Sequence, residues 1–128
     1  MNPIPREIEE VAREVVDAAF KVHTTLGPGL LENVYEACME HELKKRGLSV
    51  ARQVHLPVIY ADVRLDAGLR LDLLVEESVV LELKAVEKLL PIHLAQALTY
   101  LKVTRNRLCL LVNFNVPIIK EGIRRVAL

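Results

Sequence analysis

The residues whose types and spacing point most directly to chemistry are Asp72, Glu82 and Lys84. The run Arg70-Leu71-Asp72-Leu73-Leu74-Val75-Glu76-Glu77-Ser78-Val79-Val80-Leu81-Glu82-Leu83-Lys84 reads as two apolar strands around a short polar turn. Folding it back through Glu76, Glu77 and Ser78 sets Asp72 opposite Glu82, and strand alternation places Lys84 on the same face as Glu82. Two carboxylates and a lysine then converge within reach of a single ion. Hydrolysis of a phosphodiester needs a charge clamp for the phosphoryl oxygens and a water made nucleophilic at neutral pH. Mg²⁺ or Mn²⁺ held by carboxylates supplies both. A lysine beside them can orient that water or stabilise developing charge. Taken alone, the three residues read more plainly as an ion pair on an edge strand. Their setting argues otherwise, because the flanking Leu71, Leu73 to Val75 and Val79 to Leu83 suit strands covered on both faces. Charges in such a setting must be compensated or used.

Two further groups are each weak alone. His93, Gln96 and Tyr100 form one stripe of a helix, with Leu94, Leu98 and Leu101 on another side as its core contact. The polar stripe could wall a cleft or simply face water. In Gly29-Leu30-Leu31-Glu32-Asn33-Val34-Tyr35, Glu32 falls in a first helical turn, where the dipole favours a carboxylate in any case. Tyr35, one turn on, lies on nearly the same face and could point with it into a site. The chain has no nucleophile elbow, Walker loop or glycine-rich dinucleotide turn. His23, His41, His55 and His93 lack metal-ligand spacing.

The elements that must position these residues follow from periodicity. Ile8, Val11, Val15, Ala18, Ala19 and Val22 predict a helix from Ile8 to about Thr25, broken by Leu26-Gly27-Pro28-Gly29. A second helix runs from Leu30 or Leu31 to Arg46, with Gly47 as its cap and cations in its last turn. Short strands follow at 50–54, 56–60 and 63–65. Pro57 suggests an edge or a bulge, and Asp66-Ala67-Gly68 suggests a turn. After the Asp72/Glu82 hairpin, Pro91 opens a third helix to about Val103. The segment from Arg107 to Asn113 is a strand joined through a crossover, parallel to a neighbour. The tail from Pro117 is ambiguous between strand and helix. The order predicts an α/β fold with a mixed sheet.

At 128 residues, 52% hydrophobic and 27% charged, the chain is expected to form one domain, 1–128, with an aliphatic core. No apolar stretch is long enough for a membrane span, and the N-terminus lacks the apolar region of a signal peptide. Cys38 and Cys109 are expected to be reduced core thiols of a cytoplasmic protein. Formal net charge is zero, but basic residues prevail after Tyr100. Arg105, Arg107, Arg124 and Arg125 are therefore candidates for nucleic-acid backbone contacts, although the same bias also describes an uneven solvated surface.

With these pieces in view, the chain resembles the GxxExxY proteins, whose motif reads here Gly29-Leu30-Leu31-Glu32-Asn33-Val34-Tyr35. The likeness continues through Gln53, Leu56-Pro57-Val58, Arg70 to Glu76, Val80 to Val86, Gln96 to Lys102, Leu111 to Phe114 and Gly122 to Arg125. That family is placed in the PD-(D/E)xK nuclease superfamily. The resemblance implies a restriction-endonuclease-like core, a mixed β-sheet flanked by helices. It further implies Asp72 and Glu82 as metal ligands for Mg²⁺ or Mn²⁺, Lys84 as the catalytic lysine and Glu32 as the helix-borne acidic residue. Gln96 and Tyr100 match the Q-x-x-x-Y motif of the helicase-associated and exonuclease branch, where both line the active site. Leu71 stands where the superfamily motif often has proline. The expectation is a metal-dependent nuclease acting on DNA or RNA. A chain this short would draw specificity from a homodimer or larger complex. The rival readings are a catalytically silent nucleic-acid-binding or assembly module, and a phosphohydrolase acting on a small nucleotide.

Overall fold

The computed structural model describes residues 2–128, apart from the side chain of Ala67; Met1 of the N-terminal segment discussed above lies outside it. Helix α1 (Arg6–Leu26) buries Val15, Ala18, Ala19 and Val22 of the expected stripe together with Ala12, while Ile8 and Val11 are partly buried against the same core. It ends at Gly27, whose φ of 73° is readily adopted by glycine. Helix α2 (Glu32–Lys45) begins after the Gly27-Pro28-Gly29 break and closes in a Schellman motif. There the Leu48 N–H reaches the Leu43 carbonyl at 3.1 Å, the Gly47 N–H reaches that of Lys44 at 2.9 Å, and Gly47 sits at φ 84°.

Strands β1 (Val50–Tyr60), β2 (Val63–Val75), β3 (Val79–Lys84), β4 (Leu108–Asn113) and β5 (Ile123–Ala127) form one sheet in that spatial order. All pairs are antiparallel except β3 with β4, which helix α3 (Pro91–Thr104) joins by the expected crossover. The sheet is mixed and flanked by helices, as expected. The tail resolves into a short 3₁₀ turn at Ile119–Gly122 followed by β5. None of the described helices is long and apolar enough to cross a membrane.

Helices α1 and α2 cover one face of the sheet, packing on Leu73, Val75, Val79, Leu81, Leu83, Leu108, Leu110 and Val112. Helix α3 covers the other through Ala97 and Leu101, which meet Leu69, Leu71, Val80 and Cys109. The two lists hold an irregularity that places the site. On a regular strand Leu71 and Leu73 share a face, yet here Leu71 packs toward α3 and Leu73 toward α1 and α2. The alternation therefore slips at Asp72. Its neighbour in the β1 register is Gln53, which holds a left-handed φ of 54°. Val50 likewise packs toward α1 and α2, and Val54 toward α3. Two adjacent strands change faces on one line, and Asp72 lies on it.

Beyond that line β1 and β2 continue as a long arm, in place of the separate short strands expected. Asp66 to Gly68 lies within β2, not in a turn: Leu56 pairs Leu69 and Val58 pairs Leu65, so these three residues bulge opposite Pro57. Pro57 has no N–H to offer a ladder, and β1 is the sheet's edge. A Cβ on Gly68 would collide with the Val58 side chain, so the bulge requires glycine.

Candidate active site

The hairpin closes as the apolar runs demand, with Val75 paired to Val79 around Glu76, Glu77 and Ser78. Its ladder extends only to Leu73 and Leu81, and beyond that pair the strands part. Two side chains take over the hydrogen bonding. Glu82 Oε2 accepts the Asp72 N–H at 2.7 Å, and Asp72 Oδ2 accepts the Leu83 N–H at 2.8 Å. Each carboxylate is thus fixed by the backbone of the opposite strand, with its other oxygen accepting no protein hydrogen bond among the described residues. Both side chains are buried, 6% and 5% exposed, yet no described buried side-chain polar atom lacks a partner. The second oxygens therefore keep contact with solvent.

Negative charge is crowded here. Burial pushes the Glu82 carboxyl up to about 8, and the charge of Asp72 adds to the effect. Asp72 is raised by burial and, against the lowering by the Leu83 N–H, by Glu36. Burial also raises Glu32, with Asp72 next. Lys84 opposes all three shifts but forms no salt bridge with either Asp72 or Glu82 within 4.0 Å. Since β3 is also central in the sheet, the edge-strand ion pair is not what these residues form. Asn113, the register partner of Lys84, fixes the chain just beyond it. Its amide accepts the Val86 N–H at 3.1 Å and donates to the Val86 carbonyl at 2.9 Å, while the Phe114 N–H bonds the Lys84 carbonyl at 2.9 Å.

The helices contribute unequally. Glu32 opens α2 and is exposed, with its charge coupled to Asp72 and Lys84. Tyr35 turns away from it. Its ring is fully buried, stacked on Phe114 at 4.5 Å, and its hydroxyl donates to the Gly27 carbonyl at 2.6 Å and accepts the Leu30 N–H at 3.1 Å. The tyrosine staples the loop that delivers Glu32. Tyr100 is half-buried and packs with the α3-side core, its phenol raised by burial and then by Glu82 and Asp72. Gln96 is exposed and makes no side-chain hydrogen bond among the described residues. His93 caps α3 by accepting the Leu90 N–H at Nδ1.

Sequence reasoning missed Glu36. Buried one turn after Glu32, it receives Arg52 Nε at 2.8 Å and Gln53 Nε2 at 2.6 Å. It thereby ties α2 to the face-changing residue of β1. The i, i+4 spacing of Glu32 and Glu36 was the available signal.

With this geometry in hand, a family model of the PD-(D/E)XK nuclease superfamily matches residues 9–126. The chain belongs to the PD-(D/E)XK nuclease superfamily. No curated protein and no solved structure matches it. For a PD-(D/E)XK chain the donor set can be tested against a divalent ion. Among the described residues no three carboxylate, histidine or cysteine side chains are grouped to ring a metal. Mg²⁺ does not require that, because it keeps several waters and binds through one or two carboxylates plus substrate phosphates. Asp72 and Glu82 offer hard, backbone-anchored oxygens with uncompensated charge, and they fit such an ion.

The four C-terminal arginines do not form one patch on this PD-(D/E)XK fold. Arg107 bonds the carbonyls of Leu128 and Asn2, and Arg125 pairs with Glu9 on α1 at 2.6 Å. Arg124, adjacent on β5 and so on the other face, bonds the Glu121 and Ile123 carbonyls. Arg105 caps α3 in a left-handed conformation beside Pro57 to Ile59.

Proposed function

We propose that this chain is a divalent-metal-dependent nuclease of the GxxExxY kind, hydrolysing phosphodiester bonds of DNA or RNA. The observation that carries this reading is the reciprocal anchoring of Asp72 and Glu82 across parted strands, with Lys84 one alternation beyond Glu82. Asp72 and Glu82 hold Mg²⁺ or Mn²⁺, which when bound supplies positive charge to the phosphoryl oxygens and activates a water. Lys84 orients the attacking water through its ammonium. Glu32 supports the metal site from the start of α2, directly or through water. Gln96 and Tyr100, one turn apart on α3, position the lysine or the scissile phosphate. A homodimer or larger complex supplies the selectivity.

The test is incubation with labelled single- and double-stranded DNA and RNA in Mg²⁺, Mn²⁺ or EDTA. Cleavage is expected with either metal, abolished by EDTA and lost in Glu82→Ala and Lys84→Ala. Cleavage that survives both substitutions would remove the proposed site. Calorimetric metal binding lost in Asp72→Ala, with no cleavage of any substrate, would identify the silent module instead.

A further inference from the structure

A site holding several carboxylates repels a polyanion unless cations receive it, and the C-terminal arginines are largely occupied elsewhere. Arg70 is not. It is exposed, and among the described residues its guanidinium has neither a hydrogen bond nor a salt bridge. Leu69 and Leu71 pack toward α3, so Arg70 between them projects from the opposite face of β2. Its register partner His55 is also exposed, and the two side chains share that face of the arm. Arg70 is two residues from Asp72, at the point where the arm leaves the body of the sheet. Its charge acts on groups from three elements: Glu32 on α2, Asp72 on β2 and Tyr100 on α3. A guanidinium so placed, with two carboxylates near and neither engaged, keeps its fork of donors available to a planar or tetrahedral anion.

We propose that Arg70 is a substrate-binding residue that receives a backbone phosphate of the nucleic-acid strand beside the Asp72/Glu82 centre, with His55 flanking it on the arm. This inference rests on the nuclease reading and deepens it. The contact is to phosphate, so it carries no sequence information. It assigns the arm's open face, and not β5, as the approach of the strand.

The test separates the two readings. Binding of fluorescent single- and double-stranded DNA and RNA oligonucleotides is followed by anisotropy, with Ca²⁺ replacing Mg²⁺ and salt varied. Wild-type protein that binds none of the four overturns the nuclease reading and this inference with it. Where wild-type binds, Arg70→Ala is expected to weaken affinity about tenfold or more, equally across sequences, and to flatten the salt slope by about one. Arg70→Lys keeps the slope and recovers part of the affinity. Unchanged affinity and slope in Arg70→Ala overturn the inference alone. Mn²⁺ binding without nucleic acid gives the second readout. Removing a cation near the carboxylates is expected to leave that affinity unchanged or raise it. Loss of Mn²⁺ binding in Arg70→Ala would instead make Arg70 part of the site's framework and overturn the proposal.

Discussion

Burial, reinforced by the Asp72 charge, raises the Glu82 carboxyl from its usual 4.5 to about 8 in the metal-free protein. The folded state therefore binds more protons than the unfolded chain between those values. Stability associated with the protonated carboxyl is complete below about pH 4.5 and lost as pH rises through about 8. Asp72 shifts in the same direction. Chemical unfolding in EDTA across this range is expected to show stability falling with pH, and Glu82→Gln to flatten the fall. The amide can still accept the Asp72 N–H, so packing is kept while the titration disappears. A stability profile unchanged in Glu82→Gln would show that the carboxyl is not strained by its setting. In the proposed mechanism Lys84 acts on the reaction, not on the metal. Lys84→Ala is expected to lower cleavage about 10²-fold or more while calorimetric Mn²⁺ affinity persists.

At the scale of elements, the G-x-x-E-x-x-Y motif divides its labour. Glu32, exposed at the start of α2, is the residue proposed to serve the metal site, and Tyr35 holds the loop that presents it. Tyr35→Phe removes two hydrogen bonds of a buried hydroxyl, to Gly27 and Leu30, and keeps the stack on Phe114. A loss of about 1–2 kcal/mol of unfolding free energy is expected, with metal affinity affected less than in Glu32→Gln. The sequence made much of this scaffold legible. Apolar runs around Glu76 to Ser78 specified the hairpin, Pro91 marked the start of α3, and the intervening helix made β4 parallel to β3. The arm was not legible, because Pro57 and Asp66-Ala67-Gly68 carry turn chemistry and only pairing turns them into a bulge. Nor was the change of faces. A glutamine gives no local sign of a positive φ, which here is held by Glu36 on another element. Likewise helical spacing alone allows Tyr35 to point with Glu32 into a site, since it cannot see Phe114 or the Gly27 carbonyl.

Over the whole molecule, stability and site are coupled through this change of faces. The sheet could have continued its ladder past Leu73 and Leu81, but parted strands free Asp72 and Leu83 N–H groups that only the two carboxylates satisfy. The fold thus depends on the acidic residues as acceptors and is strained by them as charges. A divalent ion bound as proposed would relieve the second effect without disturbing the first, because each carboxylate presents a separate oxygen. Thermal unfolding at about pH 8 is expected to move upward with Mg²⁺ or Mn²⁺. The linkage amounts to about 2.7 kcal/mol when the ion is present at about 100 times its Kd. Asp72→Asn and Glu82→Gln are expected to abolish that shift while raising the midpoint measured in EDTA, since each removes one of two crowded charges and keeps an acceptor. A variant that lost the metal response and also melted earlier in EDTA would show that the charges themselves, not the hydrogen bonds, hold the parted strands.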